Sequence, residues 1–365
     1  MIRAADISVV VQGPVVGKPG DAYEQRLTRR CLDSVRAHLP SAEIVLSTWA
    51  GADVSDLPFD RLVESEDPGG MRCDPFPNTR WSTPTPYNAN RQVVSTRNGL
   101  REATRPVAMK LRGDMVLTGT GFLRYFLRYP KRADGWRILR DRVVIPDWFT
   151  RNPRGPRKQP HHPSDWFHFG WREDLLDMWD TPLTDAAMPL WYETHPRPPE
   201  LTDTWLLYRY TVEQCVWLGF LRKHGEVDFD HKLDARPHVV KESELIFANN
   251  LVVASMAELD LRFLKYGSSR VDWGTLYTHG DWQRLYRDYC DPTFRPGFDA
   301  AHWRKAAYNH LVAPTHRFLS SPRDTALARA VSTHWEEAFP RSFRAAKRAY
   351  VSAFVTLGRL GRPRA

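Results

Sequence analysis

The chain has 365 residues, a formal net charge of +9 and a sequence pI near 9.4. This length supports one large or two modest domains, and four scattered cysteines without a CxxC pair exclude a disulfide framework and a cysteine zinc site. The N-terminus lacks a signal-peptide pattern and no run approaches the ~18 apolar residues of a spanning helix, so we expect a cytoplasmic protein in a reducing compartment.

The N-terminal stretch ISVVVQGPVVGKPG, residues 7–20, joins an apolar strand to a glycine-rich loop. A Walker phosphate loop needs four residues between its glycines and a hydroxyl after the lysine. Here three residues separate Gly13 from Gly17, and the lysine is followed by Pro19, which has no backbone N–H. We therefore reject an NTPase. What remains is a buried strand that ends at a loop, where α/β proteins often bind nucleotides.

Strands and helices alternate through the N-terminal third. After the first strand, hydrophobic periodicity predicts helices at 23–38 and 88–102. It predicts further strands at 42–49, in FDRLVESEDPGG and at 107–117. This order predicts an α/β fold with a mainly parallel sheet flanked by helices. In such a fold we expect right-handed crossovers. We also expect a ligand to bind at the C-terminal ends of the strands.

The pattern changes after residue 129. The span 129–172 is rich in proline, arginine and aromatic residues, and it predicts irregular chain with a functional role. Helices are predicted at 172–179 and 204–225. From 341 to 365 only basic charges accompany apolar residues at helical spacing. That segment predicts an amphipathic helix, which either lies on an anionic membrane surface or docks on the domain.

The stretch KLRGDMVL places three charges, Lys110, Arg112 and Asp114, along an otherwise apolar strand. Such charges are costly unless they reach the end of the strand and face a polar ligand. A carboxylate at this position suits a divalent ion, Mg²⁺ or Mn²⁺, held against a diphosphate. Sugar transferases usually carry two aspartates in a DxD motif, and this stretch has one, which weakens the metal prediction. The alternative is a structural ion pair between Arg112 and Asp114.

Seven motifs together resemble one known family. In chain order they are ISVVVQGPV, AEIVLSTWAG, SEDPGG, NANRQVVSTRNGL, MKLRGDMVL, SDWFHFG and ESELIFANN. They resemble the WavE family of lipopolysaccharide and capsule synthesis over roughly residues 5–255. The resemblance implies a GT-A-like fold and a glycosyltransferase with a nucleotide-diphospho-sugar donor. We expect a catalytic domain at 1–255 and a mostly helical C-terminal region at 256–365.

Several residues are candidates for holding the donor. Gln12 and Gly13 end the first strand and could cover the base or ribose, since glycine allows close backbone approach. Trp49 could stack on the base or sugar, or belong to the core. Asp67, just before PGG, could accept ribose hydrogen bonds or simply form a turn.

The helix predicted at 88–102 supplies two further candidates. Asn90 and Arg91 lie early in this helix, whose N-terminal dipole favours anions. Arg91 is therefore predicted to bind the diphosphate, and Lys110 and Arg112 could act with it. The alternative is that Arg91 is an ordinary exposed helical arginine.

The motif SDWFHFG and the helix at 204–225 supply the candidates for catalysis. Asp165 is the preferred base for the acceptor hydroxyl, because one carboxylate close to the attacking oxygen is enough for an inverting transfer. Glu213 is the rival base. His168 could complete a metal site with Asp114 or contact a phosphate.

Three function classes follow from these patterns. The first is a glycosyltransferase that acts on a glycan or lipid-linked hydroxyl at the inner face of a membrane. The second is an inactive protein of the same fold that binds carbohydrate or anionic polymer. The third, nucleic-acid binding, is disfavoured and no nucleic-acid partner is expected, because the basic residues are dispersed and no recognition motif is present.

Overall fold

The computed structural model describes residues 2–73, 86–155, 157–199, 201, 207–265 and 273–311. The chain divides into two compact units. The larger comprises Met1–Gly267 and Thr275–Phe298, and the smaller comprises Ser268–Gly274 and Asp299–Ala365. The amphipathic tail predicted at 341–365 lies outside the described residues.

The larger unit is built around a mixed sheet. The strands in chain order are β1 Ile7–Gln12, β2 Glu43–Trp49, β3 Arg61–Ser65, β4 Val107–Arg112, β5 Met115–Leu117, β6 Val143–Pro146, β7 Phe167–Trp171, β8 Leu251–Ala254 and β9 Leu261–Phe263. Seven of them form one sheet in the order β3-β2-β1-β4-β7-β6-β8, and β5 pairs with β9 in a small second sheet. Neighbours in the large sheet are parallel except at β7, which is antiparallel to both β4 and β6.

Helices flank the sheet. They are α1 Leu27–His38, α2 Ala89–Glu102, α3 Arg172–Trp179, α4 Trp191–Thr194, α5 Val212–His224, α6 Pro237–Asn250 and α7 His279–Tyr289, and α8 Ala300–Leu311 lies in the smaller unit. Helix α2 packs especially close to the sheet. At Gly99 an added Cβ would lie 2.4 Å from a methyl of Val10 and 2.9 Å from the Cβ of Ser47. Only glycine permits this approach.

The predicted fold class, α/β with a mainly parallel sheet flanked by helices, is confirmed. The predicted bounds of β1 are also those of the structure, because all six of its residues are buried between turn-forming segments. In the part of the chain that the structure describes, no helix combines the length and the apolarity needed to cross a bilayer.

Three predicted elements differ from the structure. The strand at 107–117 is two strands, since the chain turns at Gly113 and Asp114 and β5 pairs with β9 instead. Helix α5 begins at Val212, because Thr211 caps it with Gln214, and residues 207–211 are not helical. The span 129–172 is not wholly irregular, for it contains β6 and β7. Elements α6 and β8 had no separate prediction.

The topology gathers many polar residues at one edge of the sheet. Gln12 pairs in register with Ser47 on one side and with Arg112 on the other, so the C-terminal ends of β1, β2 and β4 meet. Strand β7 runs the other way, and its first residue, Phe167, pairs with Leu111. The residues that precede β7 therefore reach the same edge.

Candidate functional site

A cavity of about 420 Å³ opens at this edge. We call it the edge cavity. Seven predicted site residues line it, namely Gln12, Gly13, Trp49, Asp67, Arg91, Arg112 and Asp114. Its volume lies within the range of small-molecule sites, and the C-terminal ends of parallel strands are the usual place for such sites in α/β proteins. The strand-end pattern thus brings together most of the predicted donor residues.

The end of β1 forms the floor of the edge cavity. The side-chain oxygen of Gln12 accepts a hydrogen bond of 2.6 Å from the hydroxyl of Ser95 on α2, which fixes the amide. Gly13 has a φ of +115°, and no neighbouring atom lies within 4 Å of where a Cβ would be. Glycine is needed here for its backbone conformation and leaves open space above the strand end.

An arginine–carboxylate pair forms one wall. The guanidinium of Arg91 donates two hydrogen bonds to Asp67, with Nε–Oδ1 2.7 Å and Nη2–Oδ2 2.6 Å. These bonds hold the pKa of Asp67 below its usual value. Asp67 also accepts from the backbone N–H of Gly69, so it is a turn residue and an arginine partner at once. Because the contact with Asp67 is bidentate, the plane of the Arg91 guanidinium is fixed.

A second pair of the same kind lies at the end of β4. Arg112 donates to Asp114 through Nε at 3.0 Å and through Nη2 at 2.9 Å. The guanidinium also lies 5.3 Å from the ring centres of Trp166 and Phe263. The ion-pair alternative for these residues therefore describes their contact correctly. The same pair also lines the cavity, so a structural contact and a binding role are compatible here.

A third cation reaches the cavity from the small sheet. The backbone N–H of Leu264, just after β9, donates to the carbonyl of Asp114 at 3.0 Å. This bond brings the chain back to the cavity, and Lys265 lines it. Among the described residues, three cations and two carboxylates therefore line the cavity, which favours an anionic ligand.

Both carboxylates of the cavity are already paired with arginines. The oxygens of its two carboxylates, those of Asp67 and Asp114, all accept from a guanidinium. Within the described ranges no three His, Cys, Asp or Glu side chains come close enough to hold a metal ion. A cation would have to displace an arginine from a two-point contact, so the predicted Mg²⁺ or Mn²⁺ finds no ready ligand set among these residues.

Lys110 lies beneath the cavity. It is completely buried, donates to the backbone carbonyl of Asp165, and its ammonium is 4.8 Å from the ring centre of Trp179. Burial lowers the pKa of Lys110 to about 7. The predicted direct contact of Lys110 with a donor is not favoured, because the side chain points into the protein interior and does not line the cavity.

Asp165 is buried beside the cavity. Its side chain is 3% exposed, and among the described residues neither carboxylate oxygen has a partner with hydrogen-bond geometry. Burial, and then the charge of Glu213, raise the pKa of Asp165, while Lys110 and Arg112 lower it. The amide of Gln92, which lines the cavity, is also near enough to lower this pKa. Asp165 is thus one side chain removed from the cavity.

Glu213 lies near the N-terminus of α5. Its Oε2 is 3.6 Å from Nε2 of His162, whose Nδ1 donates to the carbonyl of Phe149 at 2.9 Å. Burial lowers the pKa of His162 to about 3, so the imidazole is neutral and Nε2 carries a lone pair. A lone pair faces a protonated carboxyl more favourably than an ionised one. Burial raises the pKa of Glu213, while the charges of Arg151 and Arg112 lower it.

Two predicted residues have other partners. Both ring nitrogens of His168 are occupied, since Nδ1 accepts from the indole of Trp179 at 2.9 Å and Nε2 donates to the carbonyl of Ser164 at 2.8 Å. No lone pair remains for a metal, which argues against the predicted metal site with Asp114. Asn90 pairs with both backbone groups of Thr184, at 3.0 and 2.7 Å, and anchors that loop without lining the cavity.

Sequence reasoning missed four polar residues of the cavity. Three lie with Arg91 on one face of α2 or at its start, namely Asn88, Gln92 and Ser95. Their spacing of i, i+4 and i+7 is the period of one helix face, so this signal was present in the sequence. The fourth, Lys265, depends on the β5–β9 pairing, for which the local sequence gives no sign.

Comparisons with known proteins add a family. The solved structure of 4-diphosphocytidyl-2C-methyl-D-erythritol synthase from Anaerococcus prevotii DSM 20548 is 10% identical and is covered over 98% of its chain and 60% of this one, with a TM-score of 0.28. That likeness is too remote to bear on function. No curated protein matches the chain. A family model described as WavE lipopolysaccharide synthesis matches residues 7–315. Because this match spans most of the chain, the protein belongs to the WavE lipopolysaccharide synthesis family.

Proposed function

We propose that this chain is a GT-A glycosyltransferase that moves a sugar from a nucleotide-diphospho-sugar to a hydroxyl of a glycan or lipid-linked acceptor. Membership of the family ties the protein to polysaccharide biosynthesis. The observation that carries the proposal is the edge cavity, where two arginine–carboxylate pairs meet at the C-terminal ends of β1, β2 and β4. A fixed guanidinium is well suited to a diphosphate.

The donor would lie across the strand ends. Arg91, Arg112 and Lys265 supply three positive charges, which would face the two phosphates. Gln12 and Trp49 line the same cavity and would contact the base or ribose. In this proposal the arginines supply the positive charge that a divalent ion supplies in DxD enzymes. Donor binding is therefore expected without added metal.

Asp165 is the proposed base. The acceptor hydroxyl loses its proton to the Asp165 carboxylate, and the acceptor oxygen forms a bond to the anomeric carbon while the bond from that carbon to the diphosphate oxygen breaks. The nucleoside diphosphate leaves with its new charge next to Arg91 and Arg112. The anomeric configuration is inverted in this single displacement.

Asp165 is preferred to Glu213 because of its position. The two carboxyls raise each other's cost of ionisation, so a proton is expected to reside on one of them. Nearby cations lower the pKa of both, since Lys110 and Arg112 act on Asp165 and Arg151 and Arg112 act on Glu213. Asp165 adjoins Gln92, which lines the edge cavity, whereas Glu213 faces His162. Asp165 is therefore the proposed proton acceptor.

A panel of UDP-, GDP- and CMP-sugars, with polysaccharide fragments as acceptors, tests the proposal through nucleotide release and product mass. We expect Asp165→Asn to lose transfer and to keep nucleotide affinity. The matched control is Asp134→Asn, which changes an exposed carboxylate in the same way. Full transfer by Asp165→Asn would remove this residue from the mechanism.

One observation favours the alternative of an inactive binding protein. Asp165 is almost fully buried and does not itself line the edge cavity. Under this alternative a nucleotide or glycan binds, and no donor in the panel yields product with any acceptor. If the wild-type protein transfers a sugar and Asp134→Asn retains that activity, the alternative of an inactive binding protein is excluded.

A further inference from the structure

A second, larger cavity of about 1110 Å³ lies beside α5. We call it the basic cavity. It is formed by residues around 157–158, by Arg209 and Tyr210 before α5, by α5 itself, and by the loop at 227–236. Five cationic side chains line it, namely Arg157, Lys158, Arg209, Arg222 and Arg236.

The carboxylates of the lining are already paired. Arg209 forms an ion pair of 2.8 Å with Asp230, and Arg236 pairs with Asp228 at 2.8 Å and with Asp234 at 2.7 Å. In the described part of the chain, these three carboxylates are the acidic members of the lining. Two arginines thus engage all of them, and the cavity as a whole keeps an excess of positive charge. The positive charge of the basic cavity favours an anionic ligand.

The other three cations of the lining are Arg157, Lys158 and Arg222. Arg222 donates to the hydroxyl of Tyr210 at 3.3 Å and lies 5.5 Å from the centre of that ring. Tyr210 is stacked on Phe229 with the ring centres 5.5 Å apart, and its hydroxyl donates to the carbonyl of Phe229 at 2.8 Å. The guanidinium of Arg222 therefore stands on a rigid aromatic base at the cavity wall. A positioned arginine recognises carboxylate or phosphate better than a mobile charge does.

A buried histidine lies behind the same wall. The ring of His161 contacts Phe229 edge to face, with the centres 5.3 Å apart, and Asp234 and Arg222 both act on its pKa. His161 is fully buried, and within the described chain neither ring nitrogen has a hydrogen-bond partner. Such an unpartnered group is costly in a core and is typical of functional regions.

Short connections join the basic cavity to the edge cavity. The hydroxyl of Tyr87 donates to the carbonyl of Tyr210 at 2.9 Å, and the backbone of Tyr87 pairs with Met71, in the segment that follows Asp67. Glu213 comes three residues after Tyr210, and its charge acts on Asp165. The segment from Tyr210 to Glu213 therefore links the basic cavity to the surroundings of Asp165.

From these contacts we infer that the basic cavity binds an anionic glycan, whose carboxylate or phosphate groups contact Arg222 and Lys158, and that this glycan is the acceptor. Uronic acids and sugar phosphates present the same anionic chemistry to an arginine. The acceptor role depends on the proposed glycosyl transfer. Binding of an anionic glycan does not, because it follows from the basic cavity alone.

The test uses the full chain and four probes, namely a galacturonate trisaccharide, glucose 6-phosphate, the neutral trisaccharide maltotriose and a thymidine oligonucleotide. Binding is measured by calorimetry or ligand-observed NMR. We expect at least one anionic probe to bind more tightly than maltotriose. The double variant Lys158→Gln/Arg222→Gln should weaken that binding by about tenfold or more, since loss of a charged contact is worth at least 1.4 kcal/mol. The matched control Lys241→Gln/Arg287→Gln removes the same charge elsewhere on the surface and should bind like the wild type.

The probes and the two double variants distinguish the possible ligands of the basic cavity. Preference for the galacturonate or for the sugar phosphate identifies the source of the anion. Equal weakening in the two double variants, no binding of either anionic probe, or tighter binding of a thymidine oligonucleotide than of both would overturn the inference. Nucleoside diphosphate affinity is measured in parallel and should be the same in all variants. If no nucleotide binds while the anionic probe does, the proposed transferase fails and the glycan site stands.

Discussion

Replacing Arg112 with glutamine changes the edge cavity in two ways. It removes one of the cations that would face the donor diphosphate. It also releases Asp114, whose two oxygens accept from Arg112 at 3.0 and 2.9 Å in the wild type. The carboxylate is then left facing the cavity without its partner.

Both changes weaken binding of a nucleoside diphosphate. A hydrogen bond to a charged group contributes about 1.5–3 kcal/mol. At an effective dielectric of about 20, a freed carboxylate about 8 Å from a phosphate charge adds repulsion of about 2 kcal/mol. The sum of roughly 3–5 kcal/mol corresponds to a dissociation constant raised by about 10²- to 10⁴-fold.

Calorimetric titration of the preferred nucleoside diphosphate measures this effect in the wild type, in Arg112→Gln and in Arg112→Gln/Asp114→Asn. The double variant lacks the freed charge, so it should recover about 2 kcal/mol, or roughly 30-fold, of the lost affinity. Thermal melting shows whether each variant is folded. An unchanged affinity in the single variant, or equal losses in the two variants, would refute the assignment of this pair to the phosphate site.

Three further predictions test other parts of the account. The affinity of the wild type for the nucleotide should be the same in EDTA and in Mn²⁺. Arg112→Asp creates the two-carboxylate spacing DGD and should bind the nucleotide only when Mn²⁺ is present. A wild type that needs metal for binding would contradict the role of the arginines. The free energy of unfolding should fall by about 2 kcal/mol per histidine between pH 7 and pH 5, because burial lowers the folded-state pKa to about 4, 3 and 3 at His161, His162 and His168. The unfolded chain takes up these protons near pH 6.5 and the folded chain does not, so stability is retained above that pH, and equal urea midpoints at pH 7 and pH 5 would contradict the prediction. Gly99→Ala should destabilise the fold by about 1–3 kcal/mol, since its Cβ would lie 2.4 Å from a neighbouring methyl group. The control is Gly225→Ala, whose added Cβ would have no neighbouring atom within 4 Å. Equal urea midpoints of the two variants would contradict the close packing of α2.

The sequence was sufficient to predict that several of the residues lining the edge cavity lie together. Each of Gln12, Trp49 and Arg112 ends a strand made mostly of buried residues, and parallel strands end at one edge. Strand period and strand order therefore placed these residues together without knowledge of tertiary contacts. The helical face of α2 could have extended the prediction to Gln92, because its spacing from Arg91 and Ser95 is periodic.

The remaining features depend on contacts distant in sequence. Strand β7 inserts antiparallel between β4 and β6, and no local pattern fixes that placement. It is this placement that buries Asp165 beside the cavity. The nitrogens of His168 are occupied by Trp179 and Ser164, so a residue type suited to a metal was given another role by its neighbours. The pairing of Asn90 with Thr184 spans more than 90 residues and was equally inaccessible.

We expect the edge cavity to hold a nucleoside diphosphate against fixed arginines. UDP, GDP and CDP are titrated into the wild-type protein and into Arg91→Gln, with Arg287→Gln as a control that does not line the cavity. One nucleotide should bind with a micromolar dissociation constant, and Arg91→Gln should weaken that binding by about tenfold or more while the control does not. Absence of binding for all three nucleotides, or equal affinity in Arg91→Gln and the wild type, would contradict this expectation.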